Sequence, residues 1–334
     1  MKFIIPMAGR GSRLRPHTLT VPKPLVPVAG KPIVQRLVED LAASVDEKVD
    51  EIAFIIGDFG DQVEKDLIEI AEGLGAKGTV YHQDEPLGTA HAILCAEPSL
   101  TGNLLVAFAD TLFKADFKID ESVDAMIWAQ KVEDPSAYGV LQLDDKGFIT
   151  DFVEKPEEFV SDLAIVGIYY FKDGDNFKDE LKYLLDNNIM DRGEYQITDA
   201  LDNMKNKGLK FLPGQIDVWL DCGNKNAVIH SNKTYLEFIK DKEIVAKDLV
   251  LENSVVIPPC YIQEGVIIKN SVVGPHCSIG SNTTIESSVI KTSVIASDTI
   301  ITDANLVDSM IGNKVVFDGV ASNVSIGDFS QVKG

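Results

Sequence analysis

Residues 9–27 read GRGSRLRPHTLTVPKPLVP. Gly9 and Gly11 let the backbone turn tightly and aim several N–H groups at one anion, and Arg13, Arg15 and Lys23 bring cations to the same stretch. Pro16, Pro22, Pro24 and Pro27 hold the chain beyond the glycines extended or turned, so the cations stand on a stiff loop. A guanidinium can fork across two phosphate oxygens, whereas a lysine acts as a point charge. The chemistry suggested is the holding of a phosphate chain. Two familiar patterns do not fit: a dinucleotide fingerprint needs a third glycine where Leu14 stands, and G-x-x-x-x-G-K-[ST] is absent. Taken alone, a glycine-rich turn with prolines is more often a structural loop.

Other side chains suit the same chemistry. FADTLF puts Asp110, and VWLDCGN puts Asp221, at the ends of apolar runs. Each in isolation reads as a turn or helix-capping aspartate, Asp221 especially, because a helix is expected from about 224. HQDEPLGTAHAI contains Gln83, whose amide offers a donor and an acceptor; the plain reading is a surface glutamine before a turn. Glu154-Lys155 before Pro156 is, by itself, an exposed ion pair at a strand end. The five histidines form no convincing triad.

Charge narrows the ligand. The chain has 31 Lys+Arg against 52 Asp+Glu, a formal net charge of -21, yet its first acidic residue is Glu39. Seven cations precede it: Lys2, Arg10, Arg13, Arg15, Lys23, Lys31 and Arg36. An acidic protein repels nucleic acid and anionic lipid at long range, so neither is an expected partner. A small anion in a local basic pocket fits better. Four scattered cysteines (Cys95, Cys222, Cys260, Cys277) suggest neither a zinc site nor a disulfide framework. No run approaches the roughly 18–20 apolar residues of a membrane span, and a cytoplasmic protein is expected.

Periodicity sets the scaffold beneath these residues. From residue 2 to about 110, β-rich runs (KFIIPMA, EIAFIIG, GTVYHQ, NLLVAFAD) alternate with helical patterns near 32–44, 60–72 and 88–96. That alternation predicts a mostly parallel sheet buried on both faces, with ligands beyond the carboxyl ends of its strands. PMAGRGSR, YHQDEPLG and FADTLF would all emerge there. Strands DAMIWAQ, YGVLQLD, FITDFVEK, LAIVGIYYF and VWLD, with helices near 175–187 and 196–206, extend the domain, and a helix near 224–240 closes it.

After about 245 the texture changes. Ile267, Val273, Ile279 and Ile285 fall six apart; after a step of four, Val289, Ile295, Ile301 and Val307 repeat the spacing. Small and polar residues fill the gaps. This predicts a hexapeptide-repeat parallel β-helix in which each flat face contributes one inward aliphatic residue. The expected division is an α/β domain over 1–243 and a β-helix over 244–334.

The string GRGSRLRPHTLTVPKPLVPVAGKP resembles the signature G-x-G-[ST]-R-L-x-P-x-T-x-x-x-P-K-x-L of sugar-1-phosphate nucleotidylyltransferases, and five blocks over roughly residues 2–225 keep that family's order. The resemblance implies a Rossmann-like, mostly parallel α/β nucleotidyltransferase domain followed by a left-handed parallel β-helix. It implies nucleotide binding at Ala8, Gly9, Gly11, Ser12, Arg13, Gln83, Gly88 and Asp110, with Arg13 on the β/γ-phosphates and Lys23 neutralising phosphate charge. It implies a sugar-phosphate side of Gly139, Glu154, Lys155, Gly167, Tyr169 and Arg192, with catalytic roles for Arg13, Lys23 and Lys155. Asp110 and Asp221 would bind one Mg²⁺. The implied reaction is attack of a sugar-1-phosphate oxygen on the α-phosphorus of a nucleoside triphosphate, with loss of pyrophosphate. Thymidylyl transfer to glucose-1-phosphate is the first choice and guanylyl transfer to mannose-1-phosphate the alternative, since Gln83 alone does not name the base.

Two rival readings accompany it. A non-catalytic nucleotide-sugar-binding regulatory subunit would be expected to have lost at least one of Arg13, Lys23, Asp110, Lys155 and Asp221. A β-helix acyltransferase would have His276 as its sole histidine and little chain for an acyl-carrier site. A structural role with homo-oligomerisation is expected for the tail.

Overall fold

A computed structural model describes residues 1–9, 11–115, 117–242, 244–319 and 323–333, so Arg10 lies outside the described residues. The chain divides into two compact units, Met1–Gly9 with Leu37–Trp219, and Arg10–Arg36 with Leu220–Gly334.

The first unit is built on a mixed sheet of nine strands among the described residues. Four are mutually parallel: Lys2–Pro6 lies between Glu51–Ile56 and Leu104–Ala107, and Lys77–His82 pairs outside Glu51–Ile56. Every residue of Glu51–Ile56 is buried, as a strand covered on both faces requires. Leu163–Phe171 continues the sheet antiparallel to Leu104–Ala107. Beyond it stand Ala125–Lys131, Gly139–Leu143 and Ile149–Glu154. Helices Asp61–Gly73, Thr89–Leu94, Gly174–Asp186 and Ile197–Asn206 stand where periodicity places them. Gly174–Asp186 is capped by Asp173, whose carboxylate accepts from the Asp175 and Asn176 N–H groups.

Phe211–Gln215 is a strand that periodicity does not mark. It pairs parallel with Ala125–Lys131 at the sheet edge, where Pro213 is tolerated.

In the second unit, three all-parallel sheets stack into the left-handed parallel β-helix expected from the repeats. The phase of the repeat needs correction. Val273, Ile279, Ile285, Ile295 and Ile301 are buried as the spacing requires. Val289 and Val307, however, face outward at 48% and 39% exposure, and Ile267 is only half-buried. Their neighbours Ile268, Ile290 and Leu306 occupy the interior instead. Inward residues succeed one another at steps of five or six, because coils take 17 or 16 residues rather than a strict eighteen (268 to 285, 285 to 301).

Corners explain the small polar residues. Asn253, Asn270, Ser287 and Asp303 stack with φ near 50°, the left-handed conformation that short polar side chains tolerate best. Buried hydroxyls tie adjacent coils: the Ser271 Oγ accepts from the Ser288 N–H at 2.9 Å and donates to the Lys269 carbonyl at 2.6 Å.

Candidate active site

The glycine-rich loop folds as three 3₁₀ turns, Ser12–Leu14, His17–Leu19 and Lys23–Leu25. Gly11 caps the first with φ 62°, and a Cβ there would stand 2.6 Å from the Lys23 Cβ. Glycine is required on both counts. Its carbonyl accepts from the Thr18 hydroxyl at 2.7 Å, which draws the arc closed. Leu14 and Lys23 are buried, while Ser12, Arg13 and Arg15 are exposed.

Asp221 ends the strand Val218–Asp221. It does not cap the next helix, Lys225–Phe238; Asn224 does, its side chain accepting from the Ala227 N–H at 3.1 Å. Instead, Asp221 and Arg13 converge on Gly223. A Cβ at Gly223 would lie 3.0 Å from both Asp221 carboxylate oxygens and 3.4 Å from Arg13 Nη2. The absent side chain keeps open the space that the Asp221 carboxylate and the Arg13 guanidinium share.

In the first unit, the parallel strands deliver their loops to one edge. Ala8 abuts Gly57, the Ala109 N–H reaches the Pro6 carbonyl, and the Gln83 N–H donates to the Ile56 carbonyl at 2.8 Å. Gln83 Nε2 donates to the Gly88 carbonyl at 3.2 Å and lies 3.1 Å from His91 Nδ1, so its carboxamide has a fixed orientation. Gly88, at φ 113°, has no room for a Cβ against the Tyr195 backbone. Asp110 comes three residues after Leu104–Ala107. Asp110 belongs to this unit and Asp221 to the other.

A second cluster gathers the residues assigned to the sugar phosphate. Gly139 pairs across the sheet with Glu154, whose Oε2 would be 3.0 Å from a Cβ at Gly139. Lys155 Nζ lies 3.2 Å from Glu154 Oε1, and the Arg192 guanidinium reaches the Lys155 carbonyl at 3.4 Å. Lys155 and Arg192 both adopt left-handed backbone conformations, with φ 40° and 50°. Left-handed backbone is uncommon for long side chains such as these. Gly167, at φ 89°, accepts from the Phe108 N–H at 3.0 Å, and Tyr169 packs edge-on against the Phe108 ring. Burial, with Glu154 nearby, pushes the Tyr169 phenol far up, so it stays protonated.

Periodicity and motif give no role to Phe108, Tyr138 or Trp219. Tyr138 meets Trp219 edge-on at 4.8 Å, and its backbone carbonyl accepts the Lys155 N–H. The Trp219 indole N–H is buried with no partner among the described residues. Adjacency is the one signal in the sequence: each lies within two residues of Asp110, Gly139 or Asp221. The basic opening also sorts itself. Lys2 donates to Thr101 Oγ1 at 2.6 Å and lies 3.7 Å from Glu51, and Arg36 is buried over the Tyr235 ring. Both are structural.

Residues 2–237 match the family model described as nucleotidyl transferase. The low-salt glycan biosynthesis nucleotidyltransferase Agl11 of Haloferax volcanii is 33% identical over 93% of this chain and 92% of its own length. A glucose-1-phosphate thymidylyltransferase of Streptomyces antibioticus is 31% identical over 94% and 93% respectively. A solved structure from Bacillus anthracis, described as a candidate glucose-1-phosphate thymidylyltransferase in complex with a sucrose, superimposes with TM-score 0.59 at 25% identity. The match covers 69% of this chain and 93% of that one.

Proposed function

Because the chain belongs to the nucleotidyl transferase family, as a sugar-1-phosphate nucleotidyltransferase, we propose that it transfers a thymidylyl group from dTTP to glucose-1-phosphate. The observation that carries the catalytic reading is the convergence of Arg13 and Asp221 on Gly223. Likeness to the Streptomyces enzyme over nearly the whole chain, and the fixed Gln83 amide, favour the substrate pair.

The loop backbone at Ala8, Gly9, Gly11 and Ser12 wraps the triphosphate. Arg13 forks across its β/γ-phosphates, so that charge accumulating on departing pyrophosphate is met by a fixed cation, and Lys23 neutralises phosphate charge beside Gly11. Gln83 and the Gly88 backbone read the base edge. Glu154 accepts from sugar hydroxyls, Lys155 and Arg192 hold the sugar phosphate, and Gly139, Gly167 and Tyr169 line the sugar side. The attacking phosphate oxygen is already ionised near neutral pH, so no general base is needed. We assign catalysis to a domain over 1–243 and a supporting role to the β-helix over 244–334, with self-association through its outward rows, where Val289 and Ile300 are exposed.

The family is generally dependent on a divalent metal. Among the described residues no cluster of three or more His, Cys, Asp or Glu side chains forms a protein cage. Asp110 and Asp221 offer two carboxylates, a donor set that suits Mg²⁺, which usually takes one or two carboxylates and completes its shell with substrate phosphates and water. Asp110 and Asp221 would hold it, and it would offset the negative charge of the two phosphate groups.

The test is pyrophosphate release from the pure protein with Mg²⁺, four nucleoside triphosphates and glucose-, mannose- or N-acetylglucosamine-1-phosphate. The fastest turnover is expected with dTTP and glucose-1-phosphate. Preference for GTP and mannose-1-phosphate would replace the substrate assignment, and silence across the panel would sink the enzymatic one. Among the described residues no helix is long and apolar enough to cross a membrane.

A further inference from the structure

One face of the β-helix differs from the other two. Outward residues Val289, Val307, Ile300 and Val316 of two faces are 38–48% exposed. On the third face, the outward Ser278, Val294 and Met310 are only 2–3% exposed. The cover there is the phosphate loop with the helix Lys225–Phe238. Val21 and Val26 of the loop stand over Val294, Met310 and Ile311 around a cavity of about 30 Å³.

Polar bonds pin both limbs of the loop to that face. On one limb, the Thr20 hydroxyl donates to Asp328 Oδ2 at 2.5 Å, His17 Nε2 lies 3.2 Å from Ser325 Oγ, and Pro16 packs on Gly327. On the other, the Ala29 N–H donates to Asn232 Oδ1 at 2.8 Å, and the same oxygen accepts from Ser278 at 2.6 Å. Gln263 donates to the Gly30 carbonyl at 3.3 Å. Lys23 lies on the arc between these anchors, and Arg13 just ahead of the first.

We propose that Ser325 and Asp328, on the C-terminal coils of the β-helix, are positioning residues for triphosphate binding, fixing the arc from which Arg13 and Lys23 act. The β-helix is then a working part of the nucleotide site. The inference rests on the proposed function for its kinetic consequence, but not for the anchoring itself.

The experiment uses the full chain with Thr20→Val, Ser325→Ala and the pair together, with Thr20→Ser as the conservative control. Thr20 and Ser325 are both exposed, so folding is retained. Two readouts separate the questions. Amide hydrogen exchange over residues 12–25 reports anchoring whether or not the protein turns over; protection is expected to fall in Thr20→Val and further in the pair, and to persist in Thr20→Ser. Steady-state kinetics report its consequence: KM for the triphosphate is expected to rise about fivefold for one lost hydrogen bond and more for two, with KM for the sugar phosphate unchanged. Unchanged exchange in the paired variant, or faster exchange with an unaltered triphosphate KM, would overturn the proposal. An inactive wild-type protein would instead defeat the functional assignment and leave the exchange result to judge the anchoring.

Discussion

Gly11 and Lys23 are in backbone-to-stem contact: a methyl group at Gly11 would stand 2.6 Å from the Lys23 Cβ, and Gly11 is already left-handed at φ 62°. The glycine and the lysine of the loop are therefore one device. Gly11→Ala should cost about 1–2 kcal/mol from its backbone alone and push Lys23 off its seat. Thermal melting and the triphosphate KM check it; a variant with normal values for both would show that the contact carries nothing.

Arg13→Ala should lower kcat roughly 10²–10³-fold, the usual loss for one preorganised charge-stabilising donor, with an unchanged melting temperature. Arg13 is exposed, so little packing is lost. Arg13→Lys should recover only part of the rate, because an ammonium cannot fork across two phosphate oxygens. Near-normal turnover in Arg13→Ala would refute the assigned role.

Asn232 is buried at 1% exposure and bridges three segments, accepting from Ala29 and Ser278 and donating to the His276 carbonyl at 3.3 Å. Asn232→Ala leaves a buried N–H, a hydroxyl and a carbonyl to find other partners. A loss of roughly 2–3 kcal/mol in urea denaturation is expected. A loss no larger than that of an ordinary surface substitution would show that these groups find replacements.

His17 gives the loop's seat a pH dependence. Burial holds its imidazole below the ordinary 6.5, opposed by Asp328 and assisted by Lys225. The unfolded chain thus takes up the proton at higher pH than the folded one. His17 contributes its full stability above about 6.5 and loses it as pH falls from there toward the lowered folded value. Denaturation midpoints measured from pH 7.5 to 5 should fall more steeply for the wild type than for His17→Gln, which carries no titrating ring. Parallel curves would remove His17 from the account.

Much of this architecture is legible in the sequence because it is local. Helix Ile197–Asn206 and strand Leu163–Phe171 sit within a residue of where periodicity puts them. The β-helix is recognisable, but its phase is not. In a strand of two or three residues, neighbours such as Val289 and Ile290 are equally apolar, and only the coil's closure decides which faces in. Phe211–Gln215 escapes because Pro213 and Gly214 read as a loop. Asp221 reads as a cap, and only the folded chain shows Asn224 supplying one. In the candidate site, Gly11, Arg13 and Lys23 stand out through the family signature rather than through spacing alone. Ser325 and Asp328 cannot, since nothing in a chain's local pattern relates residues 308 positions apart.

That separation of 308 residues sets an order of events in synthesis. The phosphate loop leaves the ribosome long before its seat does. At roughly 5–20 residues per second, Thr20 waits about 15–60 s for Asp328 to be made. During that interval the parallel strands Lys2–Pro6, Glu51–Ile56, Lys77–His82 and Leu104–Ala107 all become available to pair, while the loop joined to the first of them has no surface to close on. On the proposed anchoring, a nascent chain holds its four parallel strands while its glycine-rich loop still waits for its seat.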